Sequence, residues 1–150
     1  MWSLRKVPTD GKSTAWGVNA LGAVLFFWIY KMMDLWGNIP LVTDYSDKEL
    51  PTNKPRQEVY SWLLSEVKDI ADKLPAREGN YGKFTQGAAY SLLAVLYLNA
   101  EAWGVTCDGN AYQQVIDACD KVINMGYIIE PDNSINFAYQ NKGCINHFFR

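Results

Sequence analysis

Hydrophobic and polar residues form blocks along the chain that predict four helices separated by polar loops. The first predicted helix runs from about Ser13 to Trp36 and stops at Gly37, which suits the left-handed position after a helix. Its apolar residues continue nearly all the way round, which predicts a helix packed on several sides. The pattern breaks between Asn38 and Asn53, where prolines and polar residues predict a long irregular connection.

The second predicted helix runs from Pro55 to Leu74 and is stopped by Pro75. Proline suits a first helical turn because its missing N–H would have no partner there. Apolar residues at three- and four-residue spacing form one stripe, namely Val59, Leu63, Val67, Ile70 and Leu74. The opposite, polar side begins with Arg56.

The third predicted helix covers about Gln86 to Trp103, with Thr85 as its cap and Gly104 at its end. Its sequence alternates small residues with large ones, as close packing between helices requires. The fourth predicted helix runs from Ala111 to Met125 and is closed by Gly126.

Spacing in the third and fourth helices is similar to a tetratricopeptide helix pair. The first-helix positions are occupied by Tyr90, Leu93, Ala94 and Tyr97, and the second-helix positions by Tyr112, Val115, Cys119 and Val122. A small residue such as Ala94 lets the paired helix approach, and neighbouring pairs stack because one pair cannot bury its apolar face alone. A generic antiparallel four-helix arrangement is the alternative. Both give an all-α fold of about four main helices with irregular loops.

Length and composition are those of an ordinary globular protein, except that the content of aromatic residues is unusually high. At 150 residues the prior is a single helical domain over 1–150. The net charge of −2 excludes the broad basic field that nucleic-acid binding needs. Aromatic residues make up 14% of the chain, including six Trp. We expect most of them at helix-packing positions such as Tyr60, Tyr90, Tyr97 and Tyr112.

Cysteine and histidine usage points to no metal site and no cofactor. The chain has three cysteines without a Cys-x-x-Cys pair, and His147 is its one histidine. A single Cys107–Cys144 disulfide is the one bridge that the loop positions leave open. Acid–base catalysis would need partners for His147 that the sequence does not supply.

The longest apolar run, Ala20 to Tyr30, has eleven residues and falls short of the roughly 20 that cross a bilayer. Basic residues precede it, but no small-residue cleavage site follows. We therefore expect a buried helix, and we find no signal peptide or lipobox cysteine in the chain.

Four ordered motifs resemble the SusD/RagB family. They are Phe27 to Val42 (FWIYKMMDLWGNIPLV), Lys54 to Tyr60 (KPRQEVY), Asn80 to Tyr90 (NYGKFTQGAAY) and the Tyr112-x-x-Val to Asp-Lys-Val-Ile123 helix. The resemblance covers about residues 26–130. Family members are considerably longer, so we expect an interior fragment of a larger SusD-like domain. A shortened or frame-disrupted gene is a hypothesis for both ends, and resequencing the locus would test it.

The resemblance implies a surface-exposed lipoprotein of the cell outer membrane. Such proteins bind an oligosaccharide or polysaccharide for nutrient uptake, cap a TonB-dependent transporter (SusC-like) and are not enzymes. This portion would supply mainly the helical scaffold and face the transporter. Two competing classes are a free-standing helical protein–protein interaction module and, more remotely, a small secreted hydrolase. A lipobox cysteine and a β-barrel transporter encoded nearby would favour the SusD-like interpretation.

Loop aromatics are the candidate glycan-binding residues, because an aromatic ring can stack on the apolar face of a sugar. Tyr45 and Tyr81 are the candidates that lie in predicted loops. For Trp36 and Trp103, at helix ends, we expect packing beneath their own turns instead.

Carboxylate clusters point to no catalytic or calcium site. The pairs Asp44/Asp47 and Glu66/Asp69 have the composition of a glycosidase pair but lie in polar segments typical of a solvated surface. The Asp132, Asn133, Ser134, Asn136 cluster lacks the spaced acidic pattern of a calcium loop, so we expect a turn that bonds its own backbone.

Overall fold

Four helices and one short strand pair make up the described part of the chain. The computed structural model describes residues 15–43, 50–77, 83–127, 131–132 and 134, with side chains from Val24 onward. The elements are α1 (Ala15–Trp36), β1 (Ile39–Pro40), β2 (Asn53–Lys54), α2 (Arg56–Ala71), α3 (Gln86–Asn99) and α4 (Ala111–Asn124). The four predicted helices are therefore present, each within a few residues of its predicted bounds.

Side-chain contacts fix the direction of α4 against α3. Lys121, near the end of α4, donates from Nζ to the hydroxyl of Tyr90 near the start of α3, at 3.1 Å. Tyr112, near the start of α4, donates its hydroxyl to Glu101 just beyond the end of α3, at 2.8 Å. The two helices therefore run antiparallel.

The earlier helices pack in the same manner. Tyr60, early in α2, donates its hydroxyl to the carbonyl of Leu96, late in α3, at 3.3 Å. The end of α1 lies beside the start of α2, and further from that end the rings of Phe26 in α1 and Trp62 in α2 meet edge to face at 5.7 Å. Consecutive helices are thus antiparallel neighbours, and the predicted all-α fold of antiparallel helix pairs is confirmed.

The core lies along α2 and α3. The most completely buried large side chains are Met33, Val59, Tyr60, Leu63, Val67, Leu74 and Leu96. All five members of the predicted α2 stripe are buried, and Ala88 and Ala89 let α3 approach its neighbours with no exposed surface of their own. Burial of such side chains is worth about 1.5–3 kcal/mol each, so this seam holds the helices together.

α1 differs from the expectation of packing on several sides. Phe26, Tyr30 and Met33 are buried, but Trp28 and Trp36 on the outer side are 61% and 68% exposed. The physical reason is position, because α1 packs mainly against α2 and lies at the end of the helix order. Across the described residues, no helix combines the length and apolar character needed to cross a membrane.

A strand pair joins the two ends of the connection predicted to be irregular. β1 pairs antiparallel with β2, with Ile39 opposite Lys54 and Pro40 opposite Asn53. This pairing holds the end of α1 beside the start of α2. Residues 44–49 of the same connection lie outside the described part of the chain.

Helix caps also differ from the sequence expectation. Thr85 precedes α3 as predicted, but its side chain makes no capping bond and instead pairs with the hydroxyl of Tyr127 at 3.1 Å. Asn110, not singled out in the sequence, does cap α4 because its Oδ1 accepts from the backbone N–H groups of Tyr112 and Gln113 at 3.1 and 3.3 Å.

Candidate functional site

The loop tyrosines named as glycan-binding candidates, Tyr45 and Tyr81, lie outside the described residues. The two tryptophans at helix ends have opposite surroundings. Trp103 packs against the core as expected, whereas Trp36 is 68% exposed, so the expectation that it packs beneath its own turn is wrong. Trp36 ends the outermost helix, where no further described element covers it.

Trp103 lies where α1, α2 and the end of α3 meet. Its ring contacts those of Tyr30 and Tyr60, with centroids 6.1 and 6.3 Å away. Its indole N–H donates to Asp34 at 3.2 Å. Three segments that are distant in sequence are therefore tied together by one side chain.

Arg56 and Gln57, from the second family-like motif, complete this junction. The backbone N–H of Arg56 donates to the side-chain oxygen of Asn38 at 2.9 Å, and its guanidinium donates to the Trp103 carbonyl at 3.3 Å. Gln57 Oε1 accepts from the backbone N–H of Thr106 at 2.7 Å, and its Nε2 donates to the Thr106 carbonyl at 3.0 Å.

Sequence reasoning missed this junction, because it placed Arg56 on the polar side of its helix. The signal was in the motifs themselves, since Asn38 and Arg56 both belong to segments that resemble the family. The motifs at the end of α1 and the start of α2 are thus explained by packing, and this part of the resemblance describes a scaffold.

A groove between α2 and α4, with α3 as its floor, is a concave candidate site in the described residues. Its volume is about 200 Å³. Its lining combines two tyrosine rings with charged and small residues: Lys68, Ala71, Asp72, Tyr90, Leu93, Tyr97, Gln114, Asp117, Ala118 and Lys121. Aromatic faces beside polar groups are typical of sites that hold polar small molecules.

The polar groups of the groove already bond to one another. Tyr90 donates its hydroxyl to the Asp72 carboxylate and accepts from Lys121. Burial, followed by the bond to Asp72, raises the pKa of Tyr90. The bond to Tyr90 raises the pKa of Lys121, so the ammonium stays charged. Lys68 lies over the Tyr97 ring at 5.3 Å. These bonds hold α2, α3 and α4 together, and they leave few free donors and acceptors for a ligand.

Those candidate catalytic and metal-binding groups that the structure describes are not assembled into a site. Glu66 and Asp69 lie one turn apart on α2, and Asp69 forms an exposed ion pair with Lys73 at 2.8 Å. Asp44 and Asp47 lie outside the described residues. Within the described ranges no three His, Cys, Asp or Glu side chains come together in a metal-holding group.

Asp132 accepts from the backbone N–H of Ser134 at 2.9 Å, which confirms the expected self-bonding turn. Its partners in the sequence cluster, Asn133 and Asn136, lie outside the described residues, as do His147 and Cys144. Cys107 has no disulfide partner among the described residues, and the Cys107–Cys144 bridge stays a prediction.

The fold and junction define a class: a stack of antiparallel helix pairs locked at the helix ends by polar and aromatic contacts. Within that class the chain is SusD-like. It is 32% identical over 118 residues to starch-binding protein SusD of Bacteroides thetaiotaomicron, a match that covers 78% of this chain and 20% of SusD. No protein-family model matches the chain. The predicted resemblance to the SusD/RagB family is confirmed.

Solved structures of the same kind share the fold. A SusD-like protein from Bacteroides fragilis has a TM-score of 0.70 at 23% identity and covers 92% of this chain and 28% of its own. Surface glycan-binding protein A from Bacteroides uniformis has a TM-score of 0.73 at 17% identity, over 93% of this chain and 32% of its own. A laminarin-binding SusD-like protein has a TM-score of 0.64 at 19% identity, over 89% and 30%. The chain thus spans about a fifth to a third of the relatives it matches.

Proposed function

We propose that this chain supplies the helical scaffold of a SusD-like, glycan-binding component of an outer-membrane import complex. The observation that carries the proposal is the 32% identity with starch-binding protein SusD over 118 residues. Two of the solved relatives, a surface glycan-binding protein and a laminarin-binding SusD-like protein, are named for the same ligand class. The ligand is therefore an oligosaccharide or polysaccharide, and the parent protein is a binder without catalytic activity.

A scaffold role accounts for where the aromatic residues lie. Tyr60, Tyr90 and Tyr97 are buried between helices, and Trp103 is tied into the junction. These rings expose little surface to a sugar, because each packs against neighbouring side chains. The groove beside Tyr90 is occupied by its own hydrogen bonds, so it supplies a weak platform for a ligand.

Titration of the 150-residue chain with starch oligosaccharides and laminarin oligosaccharides tests the scaffold role. We expect binding that is weak or does not saturate, because the described aromatic rings are largely committed to packing. Tight saturable binding by isothermal titration calorimetry would contradict the scaffold role. Release of reducing sugar during incubation would contradict the proposal of a binder.

Tyr45 and Tyr81 are the residues of this chain that we propose to contact glycan. A chimera gives them an assayable context: SusD in which the matched stretch is replaced by the corresponding residues of this chain. We expect Tyr45→Ala or Tyr81→Ala to weaken starch binding by the chimera without lowering its melting temperature. Tyr112→Ala is the matched control, because this exposed tyrosine lies on α4. Unchanged affinity in both variants would remove the two tyrosines from the site.

The proposed partner is a SusC-like, TonB-dependent outer-membrane transporter, and the proposed location is the cell surface, with the parent protein anchored as a lipoprotein. The same chimera, expressed with the SusC-like transporter, tests the partner. Co-purification with the transporter from solubilised outer membranes is the expected result. Loss of the transporter from a chimera that still binds starch would contradict a transporter-facing role while leaving glycan binding intact.

A further inference from the structure

The outward side of α1 carries a stripe of exposed apolar side chains. Trp28, Leu35 and Trp36 are 61%, 69% and 68% exposed, and Val24 and Met32 are exposed as well. Their positions along the helix place all five within an arc of about 120°, turned away from the face that packs on α2. We name these five residues the α1 stripe.

The charged residues of α1 that the structure describes are turned away from the α1 stripe. Lys31 borders the stripe in the helical register, but its ammonium lies over the rings of Tyr30 and Phe27, at 4.9 and 6.0 Å from their centroids. Asp34 lies further round the helix and accepts from the indole N–H of Trp103. The stripe has no charge of its own, so an identical stripe can cover it without burying an unpaired charge.

The area of the α1 stripe suits a second copy of the chain. Contiguous apolar patches of a few hundred Å² on soluble proteins mark interaction surfaces. The exposed surfaces of the five residues amount to roughly 600 Å², so two copies that cover them fully bury about 1,200 Å² in total. Specific protein–protein interfaces begin at about that size. The stripe is therefore large enough for a dimer, and its small size makes that dimer weak.

Side-chain sizes along the α1 stripe favour an antiparallel pairing of two α1 helices. A pair that is symmetric about residue 30 places Val24 of one copy opposite Trp36 of the other, and Trp28 opposite Met32. A small side chain then faces a large ring at each end, and the flexible thioether of Met32 packs on an indole. A parallel pair instead places each tryptophan against its own counterpart and leaves a gap between the two valines.

We propose that the α1 stripe is the contact surface of a two-fold symmetric homodimer of the 150-residue chain, in which the two α1 helices pack antiparallel. Its dissociation constant is of the order of 10 μM, so the chain is monomeric in dilute solution. The proposal concerns this chain by itself and stands apart from glycan binding.

Sedimentation equilibrium of the chain between about 1 and 200 μM tests the proposal, with a reductant present so that exposed Cys119 forms no disulfide between copies. We expect monomer at the low end and dimer at the high end. Trp28→Ser and Leu35→Ser should each raise the dissociation constant about tenfold. Leu98→Ser is the matched control, because this exposed leucine lies on α3, and it should leave the constant unchanged. Circular dichroism of each variant checks that its helices are intact.

Cysteine cross-linking distinguishes antiparallel from parallel pairing. In a chain carrying Cys107→Ser, Cys119→Ser and Cys144→Ser, copies with Val24→Cys are mixed with copies with Trp36→Cys and oxidised. Antiparallel packing should give cross-links between the two kinds of copy several times faster than between two Val24→Cys copies. Faster cross-linking between two Val24→Cys copies would overturn the antiparallel arrangement.

Three results would overturn the dimer itself. One is a chain that stays monomeric up to about 200 μM with its helices intact. Another is a dimer that Ile123→Ser, on α4, dissociates and Leu35→Ser does not, since the contact surface would then lie elsewhere. The third is a monomeric chain that sediments with phosphatidylcholine vesicles, because the stripe would then meet a lipid surface. Each failure would leave the glycan proposal standing, since these assays contain no sugar.

Discussion

At the scale of single residues, Tyr60 connects burial, hydrogen bonding and ionisation. Its side chain is fully buried, and its hydroxyl donates to the Leu96 carbonyl. Burial, with the nearby Cys107 as a smaller cause, raises the pKa of Tyr60 above the ordinary value of about 10. The folded protein therefore keeps this proton to a higher pH than the unfolded chain does.

The stability of the fold should depend on Tyr60 in alkaline solution. Because the unfolded chain releases the phenol proton first, the free energy of unfolding should be unaffected by this group below about pH 10 and should fall as pH rises beyond it. Urea unfolding between pH 8 and about pH 11 measures the effect. Tyr60→Phe should cost about 1 kcal/mol at neutral pH and show a shallower alkaline fall. An unchanged pH profile in Tyr60→Phe would contradict the assignment.

Trp103 and Trp36 form a matched pair at the same scale. Trp103→Ala should lower the free energy of unfolding by about 3 kcal/mol, since it empties the space between Tyr30 and Tyr60 and leaves Asp34 without its donor. Trp36→Ala should change it by less than about 0.5 kcal/mol, because that ring is largely in solvent. Chemical denaturation of both variants checks the contrast, and similar costs would contradict the described packing.

Sequence spacing predicts the burial of three of the four tyrosines named at packing positions. Tyr60, Tyr90 and Tyr97 are buried as predicted. Tyr112 was predicted at a packing position and is 59% exposed, so that prediction is wrong. Its helix is apolar on two adjoining faces, and periodicity does not tell which of the two has a partner.

At the scale of elements, the turn that ends α1 combines a backbone requirement with a close contact. Gly37 has φ of +72°, in the left-handed region, and a Cβ there would lie 2.9 Å from the guanidinium of Arg56. That guanidinium is held by the Trp103 carbonyl, so it has little freedom to move aside. The turn therefore sets how α1 meets the start of α2.

Gly37→Ala and Gly104→Ala separate the two effects. Both glycines have positive φ, but a Cβ on Gly104 would meet nothing within 4 Å. Each substitution should cost about 1–2 kcal/mol from the backbone alone. Gly37→Ala should cost about 1 kcal/mol more, because it also displaces Arg56. Thermal unfolding measured by circular dichroism compares them, and equal shifts would show that the Arg56 contact contributes nothing.

The existence and approximate bounds of the four helices could be predicted, because Gly37, Pro75 and Gly126 are strong local stop signals. The β1–β2 pair could not, since each strand has two residues and is held by the junction around Arg56 instead of by its own propensity. For the candidate site, the seven-residue spacing of Tyr90 and Tyr97 predicts that both lie on one face of α3, where they form the floor of the groove. The bonds from Tyr90 to Asp72 and Lys121 could not be predicted, because they join three helices.

At the scale of the whole molecule, the helices form an ordered antiparallel series whose two outermost helices, α1 and α4, both expose apolar side chains. The interior seams are closely packed, and two of the four family-like motifs meet at one junction of helix ends. This arrangement is what a scaffold segment requires, since it presents rigid helices while its outer faces meet other parts of a larger protein. The match to about a fifth of SusD agrees with that role.

The central claim is that this chain can replace the matching part of a glycan-binding relative as its scaffold. Isothermal titration of the SusD chimera with a starch oligosaccharide tests it most directly. The claim predicts a folded chimera that binds the oligosaccharide with an affinity within about tenfold of SusD itself, a difference of about 1.4 kcal/mol. A chimera that folds cooperatively yet shows no saturable starch binding would contradict it.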